Sequence, residues 1–391
     1  MSILIKGDTH LGKGVSLGKS GIAFSLNSRI KDQVDLLNYT TYECLQNNVT
    51  DLFLTGDIFE DPKPSTLLME LFIVWLKDLS VHNINTHIII GNHECVRSGN
   101  YYSSPLDIIS HLEIDNIHIH KNIDTIHLNG FSVTVLPFRD KRSFDVSSNE
   151  EAIKKLKKIL EYEISSIPLS YKKILIGHMA YEGSIPIGDE ISDMTNELFL
   201  TKDILKDYDY CWLGHIHRNM VMNKSNPYIE HIGSMDLSDF SEEDQTKYLI
   251  NYDVSNNKFK HIKLPTRPLR KLTINVPPNV ISTDYVIDEL SKVNNLKKAI
   301  VKLEVILSSQ DLLPIDRQKI EKCLYDKEAF YISKIIETKK AASIKQKIDS
   351  IKDNTIDTEY AIKLYAESFI DEKDRSEFMD LAKNISKEVQ L

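Results

Sequence analysis

Asp8 and His10 stand two residues apart in GDTH, directly behind the apolar run ILI. On an extended strand end two such side chains point to one side, which suits two ligands on one metal ion. Asp57 follows another apolar run in DLFLTGDIF. A carboxylate there has two oxygens with which to bridge two cations, or it caps a turn. Asn92 and His93 lie in GNHE behind THIII, where glycine permits an unusual backbone and an amide oxygen and an imidazole are presented together. Satisfied polar groups of a core have the same composition. His178 in GHM and the pair His215 and His217 in GHIH complete the set, the pair again on one side of an extended segment. NIHIHK repeats the His-x-His spacing at His118 and His120 without a strand running into glycine, and reads as an exposed strand face. Each motif alone is modest. GD-x-H, GD, GNH, GH and GH-x-H in this order, each behind an apolar strand, are hard to produce by core packing alone.

Such residues need elements that bring them together. ILIKGDTH, DLFLTGDIF, THIIIGNHE, KKILIGHMA and YDYCWLGHIH each read as a buried strand that runs into glycine and then into Asp, Asn or His. In an open α/β sheet the ligand lies beyond the carboxyl ends of the strands, so this arrangement gathers the polar residues at one rim. LLMELFIVWLKDL (67–79) and EEAIKKLKKILEYEI (150–164) have helical apolar spacing. Near Pro265 the pattern changes. PTRPLRKLTINVPP sets prolines on both sides of a short strand, DYVIDELSKV reads as a helix and KAIVKLEVIL as a further strand, together a small α+β domain. From residue 336 the chain turns to Lys, Glu, Ile and Ala with helical periodicity. It ends in two amphipathic helices, one with the stripe Ile362, Tyr365 and Phe369, the other with Phe378, Leu381, Ile385 and Val389.

A length of 391 residues exceeds what one hydrophobic core serves, which predicts two or three domains. No run approaches the roughly 18 apolar residues that span a bilayer, and the amino terminus has no secretory pattern, so a cytoplasmic location without membrane contact is expected. Cys44, Cys95, Cys211 and Cys323 are scattered without C-x-x-C spacing, which argues against both a zinc ribbon and a disulfide framework. A net charge of −9 counts against a general nucleic-acid binder, so any DNA contact must be local or shared with a partner.

The order of motifs resembles the calcineurin-like metallophosphoesterase superfamily. More narrowly, GDTHLG, GDIFE, GNHE and GHIH resemble the SbcD-type DNA repair and recombination nucleases, bacterial and bacteriophage. The resemblance implies a four-layer α/β/β/α metallophosphoesterase sandwich over residues 1–268. It further implies a small α+β capping, DNA-recognition domain over 269–335 and a helical tail over 336–391 that binds an SbcC-like coiled-coil ATPase. Carried over residue by residue, Asp8, His10 and His217 hold one metal, Asn92, His178 and His215 the other, and Asp57 bridges them. His93 faces the scissile phosphate as transition-state stabiliser or acid. The implied cofactor is two Mn²⁺, with Mg²⁺ less active, since no thiolate is present to select zinc. Many relatives have Asp where this chain has Glu94, a departure that bears on the surroundings of His93. His231 and Tyr181 read as structural rather than as site residues. Lys13, Lys19, Arg29 and Lys31 beyond the first motif, and Arg97, Tyr101 and Tyr102 after GNHE, are candidate DNA contacts or else solvated loop. Leu67, Leu71, Val74 and Trp75 on the helix at 67–79 serve equally well as intramolecular core or as an interface; the resemblance implies the latter, a homodimer through this helix and the neighbouring segment 104–112. The same kind of metal centre serves phosphoproteins and small nucleotides, and some relatives are retired scaffolds; the intact ligand set argues against retirement.

Overall fold

The structure is a computed structural model that describes residues 2–20, 26–98, 101–185, 197–278, 280–307 and 314–339, the side chains of 96–98 and 101–102 excepted, and positions 366, 375, 376, 378, 379, 381 and 382.

Every residue of β1 (Ser2–Lys6) is buried, which is what a strand covered on both faces requires. Its side chains divide by parity. Ile3 and Ile5 enter one core cluster and Leu4 another, because successive residues point to opposite faces. The same division runs through β2 (Val49–Leu54) and β3 (Asn85–Ile89). Phe53 and Ile89 join Ile3 and Ile5, whereas Leu52, Leu54 and Ile88 join Leu4.

The remaining strands, in chain order, are β4 (Val96–Ser98), β5 (Tyr101–Ser103), β6 (Ile117–His120), β7 (Asp124–Leu128), β8 (Phe131–Leu136), β9 (Lys172–Gly177), β10 (Tyr210–Leu213), β11 (Met220–Asn223), β12 (Tyr228–His231), β13 (Tyr248–Asp253), β14 (Lys258–Lys263), β15 (Leu269–Asn275), β16 (Ile300–Leu307) and β17 (Tyr331–Lys339). They form two six-stranded sheets, ordered β14-β13-β1-β2-β3-β6 and β11-β12-β10-β9-β8-β7. β1, β2, β3 and β6 are parallel in the first, and β8, β9, β10 and β12 in the second. The inner faces meet in one cluster, where Ile3, Ile5, Phe53 and Ile89 oppose Phe131, Val133, Val135, Ile174, Ile176 and Trp212.

Helices cover the outer faces. α1 (Ser28–Gln46) and α2 (Thr66–Val81) bury Leu36, Leu37, Phe72, Leu76 and Leu79 against Leu4, Leu52 and Ile88. A short helix, α3 (Leu106–Ser110), joins them through Leu106 and Ile109. On the other side α4 (Asn149–Ser165) buries Ala152, Leu156 and Leu160 against Leu136, Leu175 and Leu213. Ser148 caps α4 by accepting from the Glu151 N–H, with Glu150 and Glu151 in the first turn, where carboxylates favour the helix dipole. The four layers are therefore α/β/β/α, as expected.

The small domain is built from β15, β16 and β17 in that spatial order, all parallel, with the helices Ser282–Lys292 and Arg317–Asp326 as crossovers. Its own core holds Val286, Leu290, Ile320 and Leu324 against Leu303 and Val305. In the tail, Phe378 and Leu381 are helical, while Ile362, Tyr365, Phe369, Ile385 and Val389 lie outside the described residues. No described helix is long and apolar enough to cross a membrane.

Candidate metal centre

The loops after β1, β2, β3, β9 and β10, all at carboxyl ends of parallel strands, meet at one rim between the sheets. Holding them there takes unusual backbone. His10, Asp57 and His215 have φ of 45, 44 and 81°, a left-handed conformation that typically costs about 1–3 kcal/mol for a residue with a Cβ. Gly91 is required by proximity, since a Cβ on it would collide with Oδ1 and the amide nitrogen of Asp57. Backbone bonds fix the register of the loops. The N–H groups of Thr9 and His10 donate to the Asp57 carbonyl at 3.0 and 2.8 Å, and that of Met235 to the Asp8 carbonyl at 2.7 Å. The carboxylates are aimed in the same way, Asp57 Oδ1 accepting from His93 N–H at 3.0 Å and Asp8 Oδ2 from His215 N–H at 2.8 Å.

The side chains gather into two main donor groups. Asp8, His10 and His217 form one, and Asp57, His178 and His215 the other, each with ligand atoms within 4.8 Å of one another. His10 Nε2 lies 2.8 Å from His217 Nε2 and 3.6 Å from Asp57 Oδ2. His178 Nε2 is 3.1 Å from Asp57 Oδ2 and 2.9 Å from Asn92 Oδ1, and the same amide oxygen is 3.0 Å from His215 Nδ1. Asp57 Oδ2 thus neighbours both groups.

Whether these residues fit a cation is decided by their lone pairs. His178 Nδ1 donates to the Thr55 carbonyl at 2.9 Å, which turns Nε2 toward Asp57 Oδ2 and Asn92 Oδ1, both acceptors, so that a proton on Nε2 or a cation in its place belongs between them. Lone pairs that converge in a buried place call for positive charge among them. The acid–base balance agrees. Burial alone would lower the His178 imidazole, but Asp57 and Asp8 raise it to about 10. Burial raises Asp8, while for Asp57 burial is outweighed by His178 and His93, which hold it well below the carboxylate range. Burial and His217 push His10 down to about 3, so its ring is neutral and free to ligate. Imidazole, carboxylate and amide oxygen fit divalent cations.

Two acids absent from the sequence expectations complete the setting. Glu60 Oε2 lies 2.8 Å from His10 Nδ1, and its backbone carbonyl accepts from His93 Nδ1 at 2.8 Å. Burial would raise its carboxyl, but the bond to His10 brings it down to about 2. Glu197 Oε2 lies 2.8 Å from His215 Nε2, leaving Nδ1 toward the centre. Glu60 was within reach, because it ends GDIFE; Glu197 arrives from a loop with no periodic signal. Glu94 is fully buried and ties two site loops together, accepting from Gly91 N–H at 2.9 Å and Phe59 N–H at 3.0 Å. His231 donates to the Gly214 carbonyl and accepts from Tyr181 N–H, a structural arrangement for both residues.

The basic candidates divide. Lys13 Nζ is 3.2 Å from Glu60, beside the centre. Lys19 lies over the Phe330 ring of the small domain at 4.6 Å. Arg29 is a correction: it is completely buried, bonded to Asp32, Asp236 and the Leu237 carbonyl, and has no surface to offer a phosphate. The side chain of Arg97 falls outside the described residues.

A sequence profile described as calcineurin-like phosphoesterase matches residues 1–219, and the chain belongs to that family. It is a metal-dependent phosphodiester hydrolase. It is similar to the SbcD subunit of the SbcCD nuclease of Staphylococcus epidermidis, 28% identical over 308 residues that are 75% of this chain and 76% of that protein. It is also similar to the DNA double-strand break repair protein Mre11 of Methanocaldococcus jannaschii, 25% identical over 252 residues, 63% of this chain and 61% of that one. A dimetal phosphatase of Danio rerio aligns at 11% identity and TM-score 0.41, over 64% of this chain and 91% of that one. The SbcD-type resemblance read from the four motifs is borne out.

Proposed function

We propose that the chain is the Mn²⁺-dependent DNA nuclease subunit, exonuclease or endonuclease, of an SbcCD-like recombination and repair complex. The observation that carries this reading is the convergence of six donors around Asp57 in a relative of SbcD and Mre11. Asp8, His10 and His217 would hold one cation, Asn92, His178 and His215 the other, with Asp57 shared. Bound there, the ions supply Lewis-acid chemistry, polarising an attacking water and neutralising charge on the phosphoryl oxygens. The chain's own residues do the rest. Glu60 and Glu197 fix the tautomers of His10 and His215, as carboxylates do for metal-bound imidazoles. With Nδ1 on the Glu60 carbonyl, His93 turns Nε2 to the cleft. Burial lowers its pKa but Asp57 and Glu60 raise it above the ordinary imidazole value, the direction that suits a donor of a proton to the leaving oxygen.

In this reading residues 269–335 act as the capping domain that meets DNA, residues from 336 onward dock on an SbcC-like coiled-coil ATPase, and the protein works as a cytoplasmic homodimer. The test incubates purified protein with Mn²⁺ or Mg²⁺ and labelled linear duplex, single-stranded DNA, a phosphopeptide or a cyclic nucleotide. Cleavage of DNA, faster with Mn²⁺, is expected. Turnover of the phosphopeptide or cyclic nucleotide with DNA left intact would overturn the reading.

A further inference from the structure

Of the His-x-His pair that reads as an exposed strand face, His118 is exposed as expected, whereas His120 is half-buried. β6 lies at the edge of the first sheet, parallel to β3, with His118 directly opposite His87 and His120 opposite Ile89. Residues 87, 118 and 120 therefore share one face, the inter-sheet one, since His87 stacks on Phe53 of that core with centroids 4.5 Å apart. Three imidazoles from two neighbouring strands stand together away from the Asp57 centre. His87 Nδ1 and His120 Nε2 face each other at 3.1 Å, and the His118 ring lies over His87 at 5.0 Å. Two nitrogens bound to one tetrahedral ion with bonds of about 2.0–2.1 Å are separated by roughly 3.3 Å, so the pair already has nearly the spacing of co-ligands. The His118 ring is exposed and stacks on His87, so as third ligand it would have to turn a nitrogen toward the point between His87 and His120.

Behind His87 stands an acid. Asp51 Oδ1 is 3.4 Å from His87 Nε2, the carboxylate–imidazole pairing that orients metal-ligating histidines and raises their basicity. Asp51 is only 2% exposed, and although burial raises its carboxyl, His87 with further help from the side chains of Thr50 and Asn85 holds it below the ordinary carboxylate range, so it carries its charge in the interior. A buried carboxylate backing a row of imidazoles calls for a cation to balance it.

We infer that His87 through Nδ1, His120 through Nε2 and His118 form a binding site for a transition-metal dication of the zinc class, separate from the centre at Asp57, with Asp51 as its orienting carboxylate. An all-nitrogen set selects such ions over Mg²⁺ or Ca²⁺. The rings are available as ligands: burial and neighbouring histidines lower His118 and push His120 down to about 3, so both are neutral at physiological pH. An ion there would clamp the edge strand β6 to β3, the strand that leads into Asn92 and His93.

The test uses the full chain, stripped with chelator, reloaded with excess Mn²⁺ and titrated with Zn²⁺ in a calorimeter, with bound zinc counted by elemental analysis after gel filtration. The unaltered chain should bind one more Zn²⁺ than the His118→Gln/His120→Gln variant, and Asp51→Asn should weaken that extra ion by about 10- to 100-fold. Equal zinc counts and affinities in the unaltered chain and the double variant overturn the inference. Circular dichroism shows whether the double variant is folded. Should it unfold, His118→Ala at the exposed position takes its place, and zinc affinity unchanged by that single change overturns the inference equally. Because the readout is a difference between variants that keep every residue of the Asp57 centre, it is independent of how many ions that centre holds and of whether DNA is the substrate.

Discussion

His93 and His10 share a neighbour in Glu60, one bonded to its carbonyl and the other to its carboxylate, and this separates their expected phenotypes. Replacing His93 by Ala removes a proton donor and no proposed metal ligand. Cleavage should fall by about 10²- to 10⁴-fold while elemental analysis still finds the full metal content. Normal cutting by that variant would end the acid assignment. Glu60→Gln instead keeps the carbonyl under His93 and removes the charge behind His10. The affinity for the first cation should drop by about 10- to 100-fold in a Mn²⁺ titration, with the rate at saturating Mn²⁺ much less changed. Unaltered Mn²⁺ affinity would mean that the contact does not orient the ligand. The proposed ligands were legible because each follows an apolar strand and a glycine, a pattern that survives without knowledge of the fold. Glu197 and the backbone role of Glu94 were not, since both depend on which loops come to lie side by side. Arg29 misled for a related reason: a charge in a loop reads as solvated unless its buried partners, here Asp32 and Asp236, are already known.

At the scale of elements the strands were read well, because a buried parallel strand is a short apolar run whichever sheet it joins. α2 was harder. Its sixteen residues are apolar nearly all round, so spacing could not say which stripe meets the core. Trp75, expected in the dimer face, is a core residue whose Nε1–H donates to Thr41 Oγ1 at 3.0 Å. Leu67 and Val74 remain exposed at 43 and 60%, and Ile108 and Leu112 on the adjacent segment at 60 and 46%. These exposed apolar side chains are the surface that the proposed dimer would bury. Light scattering at micromolar concentration should give a dimer mass, and Leu67→Glu with Val74→Glu should give a monomer with nearly unchanged unfolding. A monomer from the unaltered chain would count directly against the dimer. The segment NIHIHK shows the converse limit. Its spacing was plain, but the depth of His120 comes from His87 and Asp51, which are remote in sequence.

Across the whole molecule the small domain is joined to the metal centre by a chain of charge. Arg267, at the entrance to β15, makes a bidentate pair with Asp32 at 2.5 and 2.7 Å and lies 3.8 Å over the Phe330 ring. Asp32 in turn holds Arg29 at 2.7 Å, and Arg29 holds Asp236 at 2.5 Å and the Leu237 carbonyl at 2.7 Å. The segment that carries Asp236 is the one whose Met235 N–H binds the Asp8 carbonyl and whose Ser234 N–H binds the His217 carbonyl at 3.0 Å. The seat of the small domain and the Asp8–His217 half of the centre are thus ends of one network, and its two arginines should behave differently because they are buried differently. Arg29 and Asp236 side chains are 0 and 4% exposed, so Arg29→Met strands a buried carboxylate and should cost about 3–5 kcal/mol in denaturant unfolding, with loss of metal affinity. Arg267 is 19% exposed beside Asp32 at 11%, so solvent screens the pair and Arg267→Ala should cost only about 1 kcal/mol. Its effect should fall on substrate size instead. The KM for long duplex DNA should rise severalfold as the small domain loses its seat, while hydrolysis of bis(p-nitrophenyl) phosphate, which needs only the cleft, keeps its rate. Equal losses on both substrates would make Arg267 a stability residue, and no loss on either would cut the small domain out of the catalytic account. Restoring the duplex KM with Arg267→Lys, which returns the charge without the bidentate fork, would show that attraction to Asp32 suffices; failure of that rescue together with loss in Arg267→Ala would show that the planar pairing and the stack on Phe330 are what seat the domain.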